Sequence, residues 1–315
     1  MKTPLMETIP NFSEGRNLEN VEKIVDAFRG KPGVRLLDYS SNPNHNRSVV
    51  TAVGDPQALG DAVLEAIGTA LSLIDMTKHE GQHPRMGAVD VVPFVPVQGC
   101  TIADADALAR SVAERASKQH GLPIFLYEKS ATNSERTDLA KIRKGQFEGM
   151  PQKLLDPFWK PDYGPASVHP TGGVTAIGAR MPLIAFNVNL STASKEIADR
   201  IARQVRNISG GFHFVKAIGI YLEDRGIAQV SMNLTDYSHT AIYRALELIR
   251  MEAKRWGVTI LGSEIVGLVP LQALLQSAEY YLQLENFQPG QVLETAIWSD
   301  DGDESAAMQG RSDSK

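Results

Sequence analysis

One cysteine, Cys100, stands in a chain of 315 residues. A lone thiol excludes an intrachain disulfide and any zinc site built on several cysteines. It reads as a small core residue, and nothing in the chain asks for an oxidising compartment. Dense runs of Lys and Arg are also missing. The 32 basic residues are spread among 37 acidic ones, for a formal charge of -5. That removes the clustered basic footprint of nucleic-acid binding, while a local positive pocket for a small anion stays possible. No window approaches the roughly 18 apolar residues of a membrane span, and Met1 to Ser13 holds no apolar stretch of the signal-peptide kind. The expectation is a soluble, cytoplasmic protein with neither nucleic acid nor membrane as partner. Hydrophobic residues make up 43% of the chain, enough at this length for one large core or two ordinary ones.

Apolar periodicity orders the elements. Leu5 to Pro10 reads as a strand, and Val21, Ile24, Val25 and Phe28 share a helical face. A strand follows from Val34 to Tyr39, then a polar loop from Ser40 to Asn46 and a strand from Ser48 to Val53. Gly54-Asp55-Pro56 opens a helix with a stripe of Leu59, Val63, Ile67, Leu71 and Ile74, and Val89 to Val97 is the next strand. The same βαββαβ order returns later. Leu183 to Leu190 is a strand, and Ser194 caps a helix carrying Ile197, Ile201, Val205 and Ile208. Val215 to Leu222 and Ile227 to Leu234 flank the turn Glu223-Asp224-Arg225-Gly226. Ile242, Leu246, Ile249 and Ala253 mark a helix before a strand from Val258 to Leu261. The expected class is α/β (α+β): two βαββαβ-like subdomains, each a mostly antiparallel or mixed sheet with helices on one face. Their expected bounds are 1–179 and 180–298. Met150 to Arg180 is too long for an idle connection, and its aromatics favour order. Residues 299–315, rich in Asp, Ser and Gly, read as a disordered tail.

Several polar clusters could carry chemistry. His79-Glu80-Gly81-Gln82-His83 matches H-E-x-x-H, which binds zinc when it lies on a helix. Here Gly81 weakens a helix and Pro84 pushes His83 out of helical geometry, so a loop is the better reading. His83 precedes the strand at Val89, where a rigid scaffold can aim it, and imidazole takes and gives protons near neutral pH. A histidine held by backbone for structural reasons explains the position as well. Asn46-Arg47 follows an Asn- and Pro-rich turn, and Arg47 could clamp a carboxylate. Pro10-Asn11-Phe12-Ser13-Glu14-Gly15 reads as a turn in which Ser13 or Asn17 caps the next helix. Gly164-Pro165-Ala166-Ser167-Val168-His169-Pro170-Thr171-Gly172-Gly173 is a loop whose glycines allow close approach to a ligand, but it lacks the Gly-Lys-Ser/Thr ending of a phosphate loop. Asn187 and Asn189 share one face of their strand.

These residues carry a resemblance. PNFSEG (10 to 15), HNRSV (45 to 49), LIDMTKHEGQHPRMGAVDVVPFVPV (73 to 97), GPASVHPTGG (164 to 173), IGARMPLIAFNVNL (177 to 190) and VGLVPLQALL (266 to 275) resemble the glutamate formimidoyltransferase family, including the transferase part of the bifunctional formimidoyltransferase-cyclodeaminase. The resemblance reaches to about Phe287. It implies two α/β subdomains with a folate-binding groove between them, in a homodimer. It implies His83 as the catalytic base and Gly164 to Gly173 as the folate-binding segment, with tetrahydrofolate as co-substrate and no metal. Both substrates carry carboxylates, for which Arg47, Arg85 and Arg180 are the candidates, with Asn11, Asn187 and Asn189 as neutral partners. One departure is that Ser40, Asn42 and Asn44 stand where relatives often place acidic residues. An N-formylglutamate-using enzyme, a folate-binding protein without turnover and a zinc hydrolase are the competing readings.

Overall fold

The structure, a computed structural model, describes residues 3–298. The expected tail at 299–315 lies outside them. The chain divides into two compact units, one ending at Met181 and the other starting at Pro182.

The first unit runs β1 (Leu5–Thr8), β2 (Asn11–Phe12), α1 (Leu18–Val25), β3 (Val34–Asn42), β4 (Arg47–Gly54), α2 (Pro56–Leu73), β5 (Val89–Gln98), α3 (Ile102–His120), β6 (Ile124–Leu126), α4 (Leu139–Arg143), α5 (Gln146–Lys153) and β7 (Thr175–Ala179). Strands β1 and β2 lie in line between β4 and β5, antiparallel to both. β3 pairs with β4 at one edge, and β7 and β6 continue the sheet in parallel on the other side of β5. The helix starts follow ordinary capping chemistry. Asn17 accepts from the backbone N–H of Glu19 and Asn20, Asp55 from Gln57 and Ala58, and Thr101 forms a capping box with Asp104. Of the two caps foreseen for α1, Asn17 does the capping. Ser13 instead donates to the Gly87 carbonyl at 2.7 Å.

Strand alternation sends two different sets of side chains to the two faces. Met6, Val50, Ala52, Val92, Phe94, Ile177 and Ala179 pack with the apolar stripes of α1, α2 and α3 in the main core. The opposite face holds a smaller core, where Val91, Phe125, Tyr127 and Ala176 meet Ile142, Met150 and Leu154 from the α4–α5 segment. Only the β5–β7–β6 side of that face is covered this way. Across β1 and β4 it carries Glu7, Arg47, Val49 and Thr51, each only partly buried.

Two expectations change. The polar loop at Ser40–Asn46 shrinks to a turn at 43–46, because β3 continues to Asn42 and pairs with Arg47. The segment from Met150 to Arg180, in which no strand was expected, contributes β7, one strand in from the β6 edge of the sheet, with every residue of that strand buried. A parallel strand buried on both faces shows no alternation, and Thr-Ala-Ile-Gly-Ala has little of the bulk that marks strands.

The second unit runs β8 (Ile184–Leu190), α6 (Lys195–Val205), β9 (Val215–Leu222), β10 (Ile227–Leu234), α7 (Ile242–Lys254), β11 (Ile260–Val266), α8 (Leu271–Leu282) and α9 (Leu293–Trp298). Its antiparallel sheet has the order β11-β8-β10-β9. The foreseen βαββαβ order is present from β8 to β11, with Ser194 as N-cap of α6 and the 223–226 turn joining β9 to β10. Ile184, Phe186, Val188 and Leu190 alternate into a core with α6 and α7. Asn187 and Asn189 face the other way.

Candidate active site

The His83 loop is held by backbone contacts that the motif glycines permit. A Cβ on Gly81 would lie 2.2 Å from the His45 carbonyl oxygen, and one on Gly15 would lie 2.5 Å from the Arg47 nitrogen. Three polar segments therefore meet at backbone distance: PNFSEG, the β3–β4 turn and HEGQH. Asn46 ties them together. It is buried, at φ +48°, and its Oδ1 accepts the Gly15 N–H at 3.0 Å while its Nδ2 donates to the Glu80 carbonyl at 2.9 Å. Its own carbonyl meets His79 Nε2 at 2.9 Å.

HEGQH is not helical. Both ring nitrogens of His79 are engaged, one by the Asn46 carbonyl and the other by Arg85 Nε at 3.2 Å. Among the described residues no group of three or more His, Cys, Asp or Glu side chains is arranged to hold a metal ion. Arg85 is 8% exposed, and its five N–H groups go to His79, Gln146 and Glu148, the last bidentately at 2.6 and 2.8 Å. The structure thus commits Arg85 to tying the loop to α5, which leaves it no donor for a carboxylate from solution. A cleft of about 560 Å³ borders this arrangement and takes in His79, Arg85 and Glu148 but not His83.

His83 sits in a different and cationic setting. Its ring is half-buried and lies 5.9 Å from that of His45. Arg47 from β4 and Arg143 from the end of α4 act on it electrostatically. Burial, first, and these two guanidiniums with His45, second, hold its pKa down to about 3, while the Pro84 backbone pulls weakly the other way. The free imidazole is therefore neutral across the physiological range. Arg47 donates to Asn11 Oδ1, which brings two of the foreseen residues together. Arg143 donates to Asp90 at 2.5 Å, and Asp90, 2% exposed, also accepts the Met86 N–H at 2.9 Å. His83 Nδ1, Arg47 Nε and Arg143 Nε are all buried without a well-formed hydrogen bond.

Arg180 lies elsewhere on the same sheet face. Its Nη1 donates to the Met181 carbonyl at 3.0 Å. It also interacts with Glu7, whose carboxyl is pushed up by burial and drawn down by Arg180, and with Tyr127, whose phenol burial pushes up to about 12.

The 164–173 segment is anchored at its glycine end. Gly172 donates to His169 Nδ1 at 2.8 Å, and its carbonyl accepts the Ala88 N–H at 2.8 Å. The Thr171 carbonyl accepts the Met76 N–H at 2.8 Å. Gly173, at φ +74°, packs so closely that a Cβ would be 2.3 Å from the Met86 carbonyl oxygen. Pro165, Ala166, Ser167 and Pro170 stay exposed, Gly164 turns at φ +88°, and Val168 packs on the smaller core. Its anchored end thus lies against the stretches that flank His83.

In the second unit, Asn187 donates to Glu264 Oε1 at 3.1 Å. Gln229, 1% exposed, donates to Asn189 Oδ1 at 2.8 Å and to the same Glu264 oxygen at 2.9 Å. The face opposite the helices of this sheet therefore carries an amide and carboxylate array.

Arg143, Asp90, Gln229 and Glu264 were not singled out from the sequence. Asp90 had a signal, a charged residue inside the apolar run Val89 to Val97, which burial permits only with partners. Arg143 lies in a basic surface-like stretch and gave none. The carboxamide of Gln229 was hidden in an alternating strand.

Comparison with known proteins gives the family. Residues 5–180 match the model described as formiminotransferase domain, N-terminal subdomain, and residues 185–295 match the model described as formiminotransferase domain. A protein of Streptococcus pyogenes serotype M1 named glutamate formimidoyltransferase is 54% identical over 93% of this chain and 98% of its own length. A Thermoplasma acidophilum protein of the same name is 47% identical over 92% of this chain and 96% of its own. The Mus musculus formimidoyltransferase-cyclodeaminase is 43% identical over 89% of this chain, which spans 53% of that longer protein. With both family models matched in order along nearly all of the described residues, the chain belongs to the formiminotransferase domain family.

Proposed function

We propose that this chain transfers the formimidoyl group between N-formimidoyl-L-glutamate and tetrahydrofolate, giving 5-formimidoyltetrahydrofolate and L-glutamate, with His83 moving the proton. The observation that carries the reaction is the 54% identity to a protein named glutamate formimidoyltransferase over almost the full length of both chains. Tetrahydrofolate is then a co-substrate, and the chemistry calls for no metal.

In this reading N5 of tetrahydrofolate attacks the formimidoyl carbon. A C–N bond forms, and the proton of N5 passes to the neutral His83 imidazole. The tetrahedral intermediate then breaks its bond to the glutamate nitrogen, which receives that proton from His83. One imidazole serves as general base and then as general acid. Support for His83 comes from its half-buried, neutral ring and its buried Nδ1 without a hydrogen bond. Holding both substrates in reacting order supplies much of the remaining acceleration. The exposed part of the 164–173 loop and the amides of Asn187 and Asn189 are the groups we assign to folate. Arg47, with Asn11 steadying it, is assigned to a carboxylate. The same reading takes the protein as a cytoplasmic homodimer, which sedimentation of the purified chain tests.

The experiment mixes purified protein with N-formimidoylglutamate and tetrahydrofolate and follows 5,10-methenyltetrahydrofolate after acid treatment. Turnover by wild type that collapses in His83→Ala, with folate binding kept, supports both the reaction and the role of His83. A folded wild-type protein without turnover would sink the substrate assignment.

A further inference from the structure

Arg47 and Arg143 leave buried Nε groups without partners, and beside them His83 Nδ1 is buried and unbonded as well. Buried polar atoms are normally hydrogen-bonded, so three such atoms on neighbouring side chains mark a place that something polar completes. The charges say of which sign. Arg47 and Arg143 oppose each other electrostatically, and Asp90 is the carboxylate that offsets them. Asp90 is already occupied by Arg143 and by the Met86 N–H. Two guanidiniums share one carboxylate, which leaves room for a second anion.

We propose that Arg47 and Arg143 form one seat for the α-carboxylate of the glutamyl substrate, and that filling the seat turns His83 into a competent base. The inference rests on the reading of His83 as the proton-transfer residue. The substrate's own geometry selects the α-carboxylate. In N-formimidoylglutamate that carboxylate and the reacting nitrogen are bonded to the same carbon, so a carboxylate beside His83 brings the scissile C–N bond to it. The carboxylates of tetrahydrofolate lie a p-aminobenzoyl group away from N5 and do not reach the seat while N5 reacts.

The coupling follows from charge. The groups acting on His83 are Arg47 of β4, Arg143 of α4 and His45 of the β3–β4 turn, with Asp90 of β5 behind the two guanidiniums. Burial and these groups hold the imidazole near 3, too weak a base for efficient proton transfer at neutral pH. A bound carboxylate offsets the cations and raises the proton affinity of the ring. The base is thereby strengthened only when the substrate is in place.

The test is an NMR titration of His83 in the full-length protein, assigned with His83→Gln, alone and with saturating L-glutamate. The expected result is a rise of at least about one pKa unit with L-glutamate, a tenfold change in proton affinity. L-Glutamine, which keeps the α-carboxylate, should produce the rise, and isoglutamine, the α-amide of glutamate, should not. In Arg143→Gln the free value should lie higher, the rise should shrink, and the Kd for L-glutamate should weaken about tenfold or more. Asp90→Asn combined with Arg143→Gln guards against misfolding by removing the carboxylate left unpaired, and Arg143→Lys should restore part of the rise. Binding of L-glutamate that leaves the His83 titration unmoved overturns the proposal, as does an isoglutamine effect larger than that of glutamine. Wild-type turnover measured in parallel separates the cases. Turnover without the rise defeats this inference alone, whereas no turnover defeats the functional reading beneath it.

Discussion

Asn46 accepts the Gly15 N–H through its side-chain oxygen at 3.0 Å, across 31 residues of chain. With its amide donating to the Glu80 carbonyl, this one side chain fastens the two loops that frame Arg47 and His83. Asn46→Ala loses both bonds, strands the buried Gly15 N–H and puts a residue less suited to φ +48° in the turn. We expect a stability loss of about 2–4 kcal/mol in urea unfolding and a lower kcat in the protein that remains folded.

Gly81→Ala attacks the same junction from the other side. The new Cβ has the His45 carbonyl oxygen at 2.2 Å, and backbone cannot swing away as a flexible side chain would. The His83 loop has to move. A displacement of about 1 Å at a reacting group costs roughly 10²-fold in rate, so kcat should fall by that order while circular dichroism shows the fold retained.

Arg47 and Arg85 should separate in kinetics although both were carboxylate candidates. Arg85 is saturated by Glu148, Gln146 and His79. Arg85→Ala should therefore cost about 1–3 kcal/mol of stability and leave the KM for formimidoylglutamate within about twofold, since a rise above tenfold would correspond to a lost binding contact. Arg47→Ala should raise that KM at least about tenfold. Steady-state kinetics with a melting curve for each variant decides the matter, and equal KM effects would contradict the assignment.

Acid should unfold the protein partly through His83. Its folded pKa of about 3 lies below the ordinary value of about 6.5. Between those values the unfolded chain binds a proton that the folded one refuses, so stability falls as pH falls through this window and is unaffected above it. The lowered pKa values of His79 and His169 act in the same direction. His83→Gln should flatten the slope of stability against pH between about 6.5 and 5 by the share of one proton, read from urea midpoints. An unchanged slope would mean that His83 titrates normally.

Gln229 is the test of the amide array in the second unit. It is buried and donates to Asn189 and Glu264. Gln229→Leu should release Asn189 and Glu264 from their fixed positions. If the array serves folate, the KM for tetrahydrofolate should rise several-fold while that for formimidoylglutamate holds. A rise in both, or in neither, would detach the array from folate.

By itself the sequence determined the local elements whose signals are local. The helical stripes, the helix opening at Gly54-Asp55-Pro56, the cap at Ser194 and the βαββαβ order of the second unit all follow from spacing and propensity, because neighbours a few residues apart decide them, whereas the choice of Asn17 over Ser13 as the cap of α1 came with the bond of Ser13 to Gly87. It also marked HEGQH as a loop through Gly81 and Pro84, and the resemblance of several long motifs pointed to the family. Tertiary structure decided the rest. β7 is a strand because parallel neighbours on both sides bury it, and nothing in Thr-Ala-Ile-Gly-Ala announces that. Arg85 and Arg47 look alike in a sequence, yet Glu148, 63 residues from Arg85, occupies one guanidinium and not the other. Arg143 came to His83 only through the packing of α4 over the sheet and its bond to Asp90, 53 residues away. Which charges surround a titrating group is a property of distances in space, and those the chain acquires only on folding.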